Sequence, residues 1–94
     1  QQLLVSTPQK IKTNSFTRTL ATGQKGTDVK TLQQYLNSKG FTVSTSGVGS
    51  KGNETTMFGS LTRAALARFQ KANNIYPAVG FFGPITKAFI NSHP

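Results

Sequence analysis

Apolar residues recur at helical spacing in three stretches of the chain and at alternating spacing in one. Val29, Leu32 and Leu36 fall on one stripe, which predicts a helix over about Asp28 to Lys39 that Gly40 ends, with Thr27 or Asp28 capping its start. Gln33 and Tyr35 flank that stripe, and their default role is structural. A second helix is predicted over about Ser60 to Asn73, with Leu61, Ala65, Phe69 and Ala72 facing a core and Arg63 and Gln70 on the opposite side. Its alanines make it slim, so that a neighbouring helix could approach closely and place it at the centre of a bundle. A third helix is predicted over about Pro84 to Asn91, with Ile85, Ala88 and Phe89 on one face. Upstream, Phe16-Thr17-Arg18-Thr19-Leu20 alternates apolar with polar and is expected to run extended, tucking Phe16 and Leu20 against the helices.

The last two helices start in the same way. Phe58-Gly59-Ser60-Leu61-Thr62-Arg63-Ala64 returns twenty-four residues later as Phe82-Gly83-Pro84-Ile85-Thr86-Lys87-Ala88, identical at four of seven positions. Proline suits the first turn of a helix, where its missing N–H has no partner to lose. Thr62 and Thr86 each stand three residues past the glycine, where a hydroxyl is placed to serve the spare N–H groups of the first turn.

Between these segments the pattern lapses. Residues 1–15 mix Gln, Ser, Thr, Pro and Lys without a helical period and read as a linker or arm, leaving 16–94 as the folded domain. Ser44 to Thr56 is rich in Gly, Ser, Thr and Asn, and a loop of that length in so small a domain is expected to be functional or mobile. In the connector after the second helix, Ile75 and Val79 are the residues expected to be buried.

Eleven Lys and Arg against two acidic residues give a net charge of +9, which suits a polyanionic partner or a solvated basic surface. The cations are dispersed, unlike the runs of a nucleic-acid-binding tail. Catalysis is poorly supplied, because there is no Cys, a single His next to the C-terminus and one carboxylate each at a helix start and in a loop. Metal hydrolysis needs about three ligands and glycoside hydrolysis two carboxyl groups at a set separation. No catalytic, metal or cofactor site is therefore expected. The longest apolar run near the start, Leu3-Leu4-Val5, is too short for a leader or a membrane span, and in a chain that begins with Gln any leader is expected to lie upstream or to have been removed.

Taken together, Gly26-x-Asp28-Val29-x-x-Leu32-Gln33-x-x-Leu36, Gly40-Phe41, Phe58-Gly59-x-x-Thr62-x-x-Ala65, Phe69-Gln70 and Gly80-x-x-Gly83-x-x-Thr86 resemble the peptidoglycan-binding domain of the trihelical type. The resemblance spans about residues 20–91. It implies an all-α fold, a compact three-helix orthogonal bundle, here with an N-terminal extended arm and a long loop between the first and second helices. It also implies a non-catalytic module that holds a secreted or surface protein on the bacterial cell wall, at the cell surface or in the periplasm, through glycan strands and stem peptides. Any catalytic domain would be fused outside this chain, and neither a membrane nor nucleic acid is the implied partner. The long loop and the high positive charge depart from the family pattern.

The matched positions read as helix starts and core, so the ligand contacts are expected beside them. Thr56 and Met57 precede the first Phe-Gly, Arg63 lies on the polar side of the second helix, and Tyr76 and Phe81 lie in the connector. Carboxylates of stem peptides would meet the cation, and sugar faces the aromatic side chains. Two other readings fit the sequence: a basic three-helix module that offers a helix to nucleic acid, and a protein-interaction or spacer domain of a surface assembly.

Overall fold

In the computed structural model, which describes residues 16–94, three helices form: α1 (Thr27–Ser38), α2 (Ser60–Ala72) and α3 (Pro84–Ser92). The linker or arm expected over residues 1–15 lies outside the described residues. No strand forms among the described residues, and the fold is an all-α three-helix arrangement around one core.

The first two helices end by the same device. After α1, Gly40 turns left-handed (φ +89°) and the Phe41 N–H returns to the Leu36 carbonyl at 2.8 Å. After α2, Asn74 takes that role (φ +57°) and the Ile75 N–H returns to the Gln70 carbonyl at 2.8 Å. This is the Schellman motif, which satisfies carbonyls that the helix itself cannot. It also turns Phe41 and Ile75 back against the core, where Ile75 is buried and Phe41 is half-buried.

The starts differ from expectation. Neither Thr27 nor Asp28 caps α1, whose N-cap is Gly26 with no side-chain hydrogen bond. Asp28 instead holds Arg18, its Oδ2 2.7 Å from Nε and its Oδ1 3.0 Å from Nη2, a bidentate geometry that favours the ionised carboxylate. That hydrogen bond with Arg18 lowers the Asp28 pKa below its ordinary value.

Both Phe-Gly starts are tied to the segment ahead of α1. Leu20 exchanges backbone hydrogen bonds with Phe82 at 3.0 and 2.9 Å, and Gln24 and Gly26 pair with Phe58 and Thr56, each at 2.9 Å. Phe16 and Leu20 are buried as the alternating pattern predicts, and Phe16 meets Phe82 edge to face at 4.9 Å. Phe58 and Phe82 are fully buried anchors. Phe69 gathers Tyr35, Phe41 and Phe89 around itself in edge-to-face contacts of 5.8, 5.4 and 5.7 Å. Truncating such a core ring costs about 3–5 kcal/mol.

The inward stripe of α2 keeps the expected Ala65 and Phe69 but is centred about one residue further along than expected. Thr62, Ala65, Leu66, Phe69 and Gln70 are buried, whereas Leu61 and Ala72 are exposed. Ala64 is also exposed, and Ala67 is half-buried, so most of the slim face receives no helix. On α3 the buried pair is Thr86 and Ile90, whereas Ile85 and Ala88 are exposed. In the connector Val79 is exposed, contrary to expectation.

The loop over residues 44–56 is fastened to α1 through Asn37. Its Nδ2 donates to the Gly49 carbonyl at 3.1 Å and to Glu54 Oε2 at 2.9 Å, while its Oδ1 accepts the Val43 N–H at 2.8 Å. Desolvation raises the Glu54 pKa, but the hydrogen bonds from Asn37 and from backbone N–H groups outweigh it and leave the pKa lowered. Gly49 and Ser50 are buried, so the loop contributes to the packed structure despite its polar composition.

Candidate functional site

The displaced helix faces leave side chains outside that the hydrophobic effect would otherwise bury. Among the described residues seven large apolar side chains are exposed: Val48, Met57, Leu61, Tyr76, Val79, Phe81 and Ile85. Contiguous exposed apolar surface is informative in a way that scattered residues are not. All seven line one of two grooves. The first, of about 340 Å³, lies at the start of α2 between Val48 of the loop, Met57 and Leu61. The second, of about 200 Å³, lies at the start of α3 between Tyr76, Val79, Phe81 and Ile85.

A third and more polar depression joins them. Arg63, Ala64 and Ala67 of α2 form one side and Ala78 of the connector the other, with Ser60 shared with the first groove and Val79 with the second. Among the described residues Arg63 is the sole charged residue lining any of the three. Its Nε donates to the Val79 carbonyl at 3.2 Å, and this is its only side-chain hydrogen bond among the described residues, leaving the rest of the guanidinium fork free. The connector can lie this close because Gly80 (φ +82°) has no side chain: a Cβ there would overlap the Arg63 carbonyl.

Each apolar groove has a buried amide at its floor. Gln33, from α1, donates from Nε2 to Thr62 Oγ1 at 2.9 Å and to the Met57 carbonyl at 3.0 Å, and its Oε1 accepts the Thr55 N–H at 2.6 Å. Gln70, from α2, donates from Nε2 to Thr86 Oγ1 at 3.0 Å and to the Phe81 carbonyl at 2.7 Å, and its Oε1 accepts the Gly80 N–H at 2.9 Å. Two expectations change here. Gln70 is buried instead of standing on the polar side of α2, and Thr62 and Thr86 accept from these amides instead of serving the first helical turn. Both glutamines follow a core residue directly, Leu32 and Phe69, and that is the sequence signal by which the pair could have been found.

The family is decided by the chain pattern that builds this arrangement. A family model described as "Putative peptidoglycan binding domain" matches residues 25–90, from just before α1 to the core residue Ile90 of α3. The chain belongs to this peptidoglycan binding domain family. No curated protein and no solved structure matches it.

Within this peptidoglycan-binding domain the five residues singled out from sequence fall in different places. Tyr76 and Phe81 share the second groove, where the Phe81 ring lies over Gly83, 2.8 Å from where a Cβ would stand. Met57 lines the first groove, and Arg63 the depression between. Thr56 is exposed and lines none of the three, and its carbonyl accepts the Gly26 N–H at 2.9 Å. Sequence reasoning missed Leu61, Ile85 and Val79 as groove-lining residues because it assigned them to the core, and Val48 because it stands alone in a polar loop. Among the described residues no group of three His, Cys, Asp or Glu side chains is placed to hold a metal ion, and no helix is long and apolar enough to cross a membrane.

Proposed function

We propose that this domain is a non-catalytic module that anchors a secreted or surface protein to bacterial cell-wall peptidoglycan, and that the face with the two grooves carries the contact. The observation behind this reading is that every exposed large hydrophobic side chain among the described residues lines one of two grooves, with Arg63 in the depression that joins them. Peptidoglycan offers matching chemistry: sugar faces and methyl groups for apolar walls, and stem-peptide carboxylates for a guanidinium. Tyr76 and Phe81 supply the flat surfaces, Met57 a deformable one, Arg63 the charge, and the exposed Thr56 a hydroxyl for a glycan hydroxyl group. Catalytic chemistry belongs to a fused domain outside this chain.

The nucleic-acid reading has weaker support, because burial of Gln70 leaves α2 with fewer exposed polar side chains to meet phosphates. Sedimentation of the domain with purified insoluble peptidoglycan, alongside DNA binding at rising salt, separates the two. Retention on the wall with negligible DNA affinity is expected. A folded domain that stays in the supernatant would overturn the reading.

A further inference from the structure

The two grooves are built by corresponding positions of the repeated helix start. Advancing Met57, Gly59, Ser60, Leu61 and Thr62 by twenty-four positions gives Phe81, Gly83, Pro84, Ile85 and Thr86, and these two sets line the two grooves. Each set encloses a glutamine amide that bonds the same two positions of its repeat, the threonine hydroxyl and the carbonyl just before the Phe-Gly. Each amide oxygen is likewise taken by a backbone N–H upstream of that start. The main difference is the remaining wall, which the 44–56 loop supplies in one groove through Val48 and the connector supplies in the other through Tyr76 and Val79.

We infer that the groove at the start of α2 is a second subsite for the same ligand as the groove at the start of α3. One peptidoglycan strand is then held at two of its repeating units, with Arg63 between them receiving a stem-peptide carboxylate. This rests on the reading that the grooved face binds peptidoglycan. The glutamine amides are engaged within the protein, so each groove presents mainly apolar walls, and its complement is a small apolar group such as an acetamido, lactyl or alanyl methyl. A polymer that presents such a group at each repeat, with a carboxylate nearby, fits two like grooves around one cation. Charge complementarity favours it, since the chain carries +9 and no carboxylate lines either groove or the depression. Two weak subsites fixed in one fold act as a bivalent binder, whose avidity for a polymer exceeds either single affinity by roughly 10²–10⁴-fold where the geometry permits both to engage.

The test uses the intact domain, Leu61→Ser and Ile85→Ser; both positions are exposed, so the fold is expected to survive. A disaccharide-peptide monomer, released from purified wall by muramidase, is titrated while methyl and amide NMR signals are followed, and sedimentation with insoluble wall is measured in parallel. In the intact domain the signals of Leu61 and Ile85 shift together, at two monomers per domain. Each substitution silences its own groove and leaves the other's midpoint unchanged, while affinity for insoluble wall falls by about 10-fold or more in either variant. Shifts confined to Ile85 and its neighbours, with Leu61→Ser sedimenting like the intact domain, would overturn the second subsite and leave wall binding in place. An intact domain that neither shifts nor sediments would remove both.

Discussion

Gln33 and Thr62, 29 residues apart in the chain, meet inside the domain with Nε2 and Oγ1 2.9 Å apart. Gln70 and Thr86 repeat the relationship at 3.0 Å. All four residues are almost fully buried, and each amide couples a helix to the backbone that leads into the next one. A buried polar group left without its partner costs about 1–3 kcal/mol, whereas one replaced together with its partner costs less. Gln70→Leu is therefore expected to destabilise by that amount, because it orphans the buried Gly80 N–H and removes the donor to Thr86 Oγ1, while the Phe81 carbonyl keeps the Gly83 N–H. Gln33→Leu should act similarly through Thr55 and Met57. In thermal unfolding, each 1 kcal/mol corresponds to a fall of roughly 4–8 °C in a domain of this size. A coupling energy near zero in the Gln33→Leu, Thr62→Val double-mutant cycle would show that the pair contributes nothing as a pair.

Gly80 and Gly40 provide a matched comparison. Both adopt positive φ, +82° and +89°, but a Cβ at Gly40 has nothing within 4 Å whereas one at Gly80 would overlap the backbone of Arg63. Gly40→Ala is expected to cost only the conformational penalty of a left-handed alanine, about 1–2 kcal/mol. Gly80→Ala must in addition push the connector away from α2, so its loss of stability should be clearly larger and its wall binding weaker. Equal melting temperatures for the two variants would contradict the close approach.

The Arg18 and Asp28 pair makes a pH prediction. Hydrogen bonding to Arg18 holds the Asp28 pKa below its ordinary value, so the unfolded chain takes up this proton at a higher pH than the folded one. The contribution is fully present above the ordinary aspartate range and is lost as the pH falls through the lowered folded value. Asp28→Asn should thus be less stable than the parent near neutrality, by a small margin because the pair is partly exposed, and the difference should close in acid. Urea midpoints at neutral and acidic pH measure this. A gap that does not narrow in acid would assign the effect to something other than the carboxylate charge.

Much of the fold was legible because the features that specify it are local. The stripe of Val29, Leu32 and Leu36, the repeated Phe-Gly and the C-terminal Gly40 each carry their structural meaning within a few residues. The faces of α2 and α3 were not legible in the same way. Counting apolar residues set Leu61 and Ile85 inward, yet the buried positions are Thr62 and Thr86, which the stripe rule treats as polar. Their burial depends on Gln33 and Gln70, partners distant in the chain, and no periodicity within one helix reveals such a pairing. The same one-residue shift hid part of the candidate site, since the residues it misplaced inward are the ones that line the grooves. Met57, Tyr76 and Phe81 stood out in the sequence because they lie before a Phe-Gly start or in the connector instead of within the periodic segments.

The central claim is that the face carrying Arg63 and Tyr76 binds the wall. Its most direct measurement is quantitative sedimentation with purified insoluble peptidoglycan of three folded proteins: the intact domain, the Arg63→Ala, Tyr76→Ala double variant, and Lys39→Ala, which alters a cation away from the two grooves and the depression. The intact domain and Lys39→Ala should sediment alike, and the double variant should lose roughly 10-fold or more in affinity, as expected for an aromatic and an arginine anchor. A double variant retained as well as the intact domain, or an intact domain left in the supernatant, would contradict the claim.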